Sequence, residues 1–102
     1  MPGPRRRGVS GGKPGWTVFC SETVCEVMET MPERAAFFVR YFCDFASTSG
    51  AAVDSGQAPP GKPLDDAGVA YNLLVEEIHM FIEYVVMADI KEFYVTGLVR
   101  AE

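Results

Sequence analysis

The chain's single histidine, His79, follows Glu76 in the spacing Glu-x-x-His. On an α-helix that spacing sets a carboxylate and an imidazole on one face within a turn, which is how di-metal carboxylate bundles draw two ligands from one helix. Further carboxylates stand at Glu22, Glu26, Glu29 and Glu33, repeating the i, i+4, i+7, i+11 stride of Asn72, Glu76, His79 and Glu83. One histidine gives one such pair per chain, so a complete site would need two chains sharing ligands across a symmetry axis. Two plainer roles compete with the metal pair Glu76 and His79. One is a solvated stripe on a helix, with Glu83 in reach of His79 at i+4. The other is a histidine enclosed at a partner interface, where its protonation would matter. A lone Glu-x-x-His recurs by chance in many helices, so the solvated stripe is the expectation and no metal or other cofactor is expected.

Other catalytic inventories are short. Cys20, Cys25 and Cys43 are odd in number, lack a Cys-x-x-Cys spacing and read as free thiols in a reducing compartment. No Gly-x-Ser-x-Gly or phosphate-loop pattern accompanies them, and the expectation is a non-enzymatic protein. The formal charge of -5 divides unevenly, because Arg5, Arg6, Arg7 and Lys13 put +4 on an acid-free start and leave the rest at -9. An acidic body repels a phosphate backbone, so nucleic acid is expected only through Arg5, Arg6 and Arg7 or through a partner. The basic residues are followed by "GVSGGKPG" and not by an apolar run, which speaks against a secretory signal. No stretch is long and apolar enough for a membrane span, because Glu76, Glu77, His79 and Glu83 break the best window. An intracellular place, nuclear or cytoplasmic, is expected.

The elements that must position these residues read as helices. Residues 1 to 15 are rich in glycine and proline and are expected to be a disordered basic tail, leaving 16 to 102 as one domain. "WTVF" is β-prone; Ser21 then caps an amphipathic helix with Glu22, Glu26 and Glu29 on one side and Val24, Val27, Met28 and Met31 on the other. Pro32 fits the first turn of a second helix, in which Phe38, Tyr41, Phe42 and Phe45 form an aromatic stripe. Residues 47 to 65 hold small, polar and turn-forming residues and are expected to be a flexible connector. Leu64 and Asp65 then offer a staple and a cap for a long third helix that can run to about Thr96, with Gly97 as a stop, and is expected up to about residue 92. "EFYVTGLV" has the residue content of a strand that could pair with "WTVF".

The expected class is therefore mainly α: two short amphipathic helices and one long central helix. If helical, residues 72 to 90 carry a polar face so narrow that two short helices cannot enclose the remaining apolar circumference. Uncovered apolar surface of that size calls for another chain, either a different protein or a second copy. The interface expected on this basis comprises Phe38, Tyr41, Phe42, Phe45, Leu74, Ile78, Phe81, Ile82 and Val85, with Met28, Met31, Met80 and Met87 as adaptable filler.

A shorter helix, a connector and a long helix resemble the first two helices of a histone fold. "AGVAYNLLVEEIHMFIEYVVMADI" is similar in texture to the long helix of centromere protein X, over about half the chain. The resemblance implies a crossing with a histone-fold partner in a DNA-associated complex, with Arg5 to Arg7 nearest the DNA. The connector at 47 to 65 is longer than that fold's pattern, and no third helix is evident after residue 97.

Overall fold

The computed structural model describes residues 7–10 and 15–101. They form a two-layer α/β domain: a mixed sheet of six strands in the order β1-β2-β6-β5-β4-β3, with two helices on one face. The strands are β1 (Arg7–Ser10), β2 (Thr17–Cys20), β3 (Lys62–Pro63), β4 (Ala70–Val75), β5 (Met80–Met87) and β6 (Glu92–Arg100); the helices are α1 (Glu22–Glu29) and α2 (Ala35–Asp54). β2 runs parallel to β6, and every other neighbouring pair is antiparallel.

The first half follows its local signals. Ser21 accepts a hydrogen bond from the Val24 N–H at 3.2 Å, capping α1. Pro32 opens a 3-10 turn, Pro32–Arg34, that leads into α2. α2 then runs well past the aromatic stripe, because Ala46, Ser49 and Gly50 are buried and continue the line of Phe38, Phe42 and Phe45 in small residues. Thr48 folds its hydroxyl back onto the Asp44 carbonyl, which satisfies it within the helix. The small stripe lets α2 lie hard against Trp16: a Cβ placed on Gly50 would fall 2.4 Å from the indole ring.

The second half departs from the mainly α expectation. No long central helix forms: β4 and β5 are joined by a 3-10 turn at Glu76–Ile78, and β6 follows a second tight turn. The same apolar run that can be read at helical stride also obeys a period of two. Tyr71, Val75, Met80, Ile82 and Tyr84 are buried toward the helices, whereas Leu74, Phe81, Glu83 and Val85 alternate outward. β-branched and aromatic residues dominate this stretch and favour the pleated arrangement. "EFYVTGLV" is strand and pairs in parallel with "TVFC", Val18 opposite Phe93 and Cys20 opposite Val95. Without a long helix the histone-fold resemblance has no counterpart. The expected connector from 47 shrinks, since α2 occupies residues to Asp54 and Lys62–Pro63 pairs with β4. Asp65 caps a turn and not a helix: its Oδ1 accepts from the Val69 N–H at 3.0 Å.

A β-bulge between β5 and β6 resets the side-chain parity. Glu83 faces Gly97 and Tyr84 faces Val95, so Thr96 is the extra residue. Phe93 and Val95 point inward before it, and Leu98 does so after it. The core thus runs unbroken from Val18 and Val24 through Phe42, Phe45, Phe93 and Tyr84 to Ile82. Trp16 stacks on Phe93 at 4.6 Å between centroids, and Phe45 meets both Phe93 and Tyr84 edge-on at 4.9 Å.

Candidate interaction surface

Because the sheet has helices on one face only, its outer face is built from the outward residues of each strand. The register arranges them in rows across the strands. One row is Leu74, Phe81 and Val99. A second is Ala70, Val85, Tyr94 and Phe19. Between them lies a polar row, Lys62, Asn72, Glu83 and Gly97. Leu74 is 42% exposed and Val99 57%; they end the row on either side of Phe81, since β3 pairs only with Tyr71 and Asn72 and β2 only with residues 92–95. In the polar row the Glu83 side chain lies down over Gly97, where a Cβ would come within 2.8 Å of its carboxylate oxygen. Neither Lys62 nor Glu83 makes an ion pair with another described residue.

The edge beside β4 is ill suited to pairing with another strand. β3 is two residues long, and its residues are Lys62 and Pro63, a charge and a residue without an N–H. Gly61 bends the chain there at φ 109°, with its α-carbon turned toward the Asn72 carbonyl. The outer face, and not this edge, is the surface on offer.

The expected interface residues separate into two groups, with Tyr41 apart from both. Phe38, Phe42, Phe45, Ile78 and Ile82 are 2–8% exposed and belong to the chain's own core. They were expected at an interface because a long helix would have left them without cover; the sheet and α2 cover each other instead. Leu74, Phe81 and Val85 come together on the outer face. Tyr41 stays half-buried on α2, stacked against Phe37 and Phe45. Burial, and then the charge of Glu77, hold its phenol above the ordinary pKa. The outer residues missed at first, Val99 and Lys62, could have been found from strand alternation in "YVTGLVR" and from the edge pairing of "KP".

Glu76 and His79 do not form a one-turn ligand pair. Glu76 begins the 3-10 turn, and His79 ends it in the left-handed conformation at φ 52°, ψ 48°. Among the described residues no group of three or more His, Cys, Asp or Glu side chains converges on a point that could hold a metal ion. The expected contact of Glu83 with His79 is absent too, since Glu83 lies over Gly97. His79 instead borders a cleft lined by Met31, Glu33, Arg34, Met80 and Arg100. Arg5 and Arg6 lie outside the described residues, as does most of the expected tail; Arg7 opens β1 opposite Cys20. The three cysteines are free thiols, with Cys20 and Cys25 buried.

The helix layer has its own cleft, about 300 Å³, between α1 and α2 and lined by Cys20, Met28, Pro32, Ala35, Phe38 and Phe42. It is apolar, and its one acidic lining residue is Glu29. No helix among the described residues is long and apolar enough to cross a membrane. Comparison with protein-family models, with curated proteins and with solved structures yields no match.

Proposed function

We propose that this chain is a non-enzymatic interaction subunit, working inside the cell, that docks another protein surface onto the outer face of its sheet. The observation that carries the reading is the row Leu74, Phe81 and Val99, apolar across three adjacent strands on the face that neither helix covers. Burying exposed apolar surface contributes roughly 25 cal/mol per Å², and sheet faces pack on one another about 10 Å apart with interdigitated side chains. The blunted Lys62–Pro63 edge favours contact by the face over strand addition.

Site-specific photo-cross-linking tests the reading. A photoreactive phenylalanine analogue at position 81 should give discrete protein adducts in the expressing cell, whereas the same probe at exposed Arg40 on α2 should not. Equal adducts from both positions, or none from position 81, would refute docking by the sheet face.

A further inference from the structure

The polar row names its own occupant. Resting on the docking role just proposed, we infer that the surface packed on the outer face is a second copy of this chain, related by a two-fold axis running along the strands between β4 and β5. The row reads Lys62, Asn72, Glu83, Gly97 across β3, β4, β5 and β6. Turning one sheet over onto another about that axis reverses the strand order and keeps the rows aligned. Lys62 then stands over the partner's Gly97, the one position in the row without a side chain, where the partner's Glu83 carboxylate already lies. Asn72 stands over the partner's Glu83, and the two-fold axis makes every contact twice.

Charge decides for a second copy over a different protein. The row carries both members of an ion pair, in an order that meets its own reverse, and neither member is ion-paired with another described residue. Strands about 4.8 Å apart put Lys62 roughly 10 Å from Glu83 on the same sheet, so the pair closes far better across an interface than within it. An axis along the polar row itself would place Lys62 on Lys62 and is disfavoured by like-charge repulsion. The apolar neighbours agree with the first axis, which brings Leu74 over the partner's Phe81 on each side.

The experiment is a charge exchange read by sedimentation velocity, with Trp16 emission confirming that each variant is folded. The full chain should sediment as a dimer at tens of micromolar. Lys62→Glu and Glu83→Lys should each weaken association by about tenfold or more, and the combined variant should recover most of the loss, as paired charges do in double-mutant cycles. A monomeric chain whose residue 81 still cross-links to a different protein overturns self-pairing while docking by this face stands. A dimer untouched by Lys62→Glu, Glu83→Lys and Leu74→Lys overturns self-pairing by this face, and docking by this face falls with it only if residue 81 also gives no adduct.

Discussion

Gly50→Ala should destabilise the protein, although alanine is the better helix former. Within α2 the exchange by itself favours folding by about 1 kcal/mol, because glycine loses more backbone freedom on becoming helical. The added methyl, however, would sit 2.4 Å from Trp16 Cγ and Cδ1 and 2.8 Å from its Cβ. The indole cannot retreat freely, since its far side stacks on Phe93 at 4.6 Å and the ring is only 6% exposed. Overpacking of this kind costs about 1–3 kcal/mol, and with contacts this short the upper half of that range applies. The expected net loss is about 1–2 kcal/mol, or very roughly 4–15 °C in Tm for a domain of this size. Trp16 is the only tryptophan, so urea denaturation followed by its emission reads the affected contact directly. Gly50→Val should cost more still. A Gly50→Ala protein more stable than the original by about 1 kcal/mol would show that α2 does not lie on Trp16 and would refute the packing described.

Tyr84→Phe should cost about 1 kcal/mol at neutral pH, since the Tyr84 hydroxyl donates to the Pro60 carbonyl and ties the connector to the sheet. Burial, with the neighbouring Tyr71 and Tyr41, holds the Tyr84 pKa above its ordinary value. A raised folded-state pKa stabilises the protein fully below pH 10, the unfolded value, and that stability is lost as pH climbs above it. Stability measured from pH 8 to 11 should therefore fall more steeply for the original chain than for Tyr84→Phe. Lys91→Gly should be neutral or stabilising by up to about 1 kcal/mol in thermal denaturation, because Lys91 holds φ 55° and its ion pair with Asp54, at 3.7 Å, is exposed. Gly97→Val should be close to neutral by chemical denaturation, because the atom it meets, 2.8 Å away, is the free end of the flexible Glu83 side chain and valine suits a strand better than glycine; a loss above about 2 kcal/mol would contradict a Glu83 carboxylate free to swing aside.

The helical half of the fold was legible where local chemistry is punctuated. Ser21, Glu22 and Pro32 announce α1 and the entry to α2, and the Phe38–Phe45 stripe finds the helical core. The strands after residue 69 were hidden because their turns carry no glycine, proline or asparagine. The positive φ values fall on His79 at 52° and Lys91 at 55°, residues that ordinarily pay steric strain there, so the run looks like one uninterrupted helix. Chance alignment strengthened the illusion. Asn72 and Glu83 share a helical azimuth by their i, i+11 spacing alone, and in the fold they happen to be cross-strand neighbours on the outer face. The second half of α2 was concealed by the reverse problem, since "STSGAAV" looks like a linker unless Gly50 is seen to need smallness against Trp16. The partner contact we propose is placed not on a helix circumference but on Leu74, Phe81, Val85 and Val99.

The most direct test of the sheet-face contact is an isotope-filtered NMR experiment on a mixture of labelled and unlabelled chains, which records only contacts between copies. Leu74 and Phe81 are neighbours within one sheet, so the filter is essential. The account predicts intermolecular contacts from the Leu74 methyls to the Phe81 ring. Intermolecular contacts confined to α2 residues such as Val39, or none in a sample that sediments as a monomer, would contradict it.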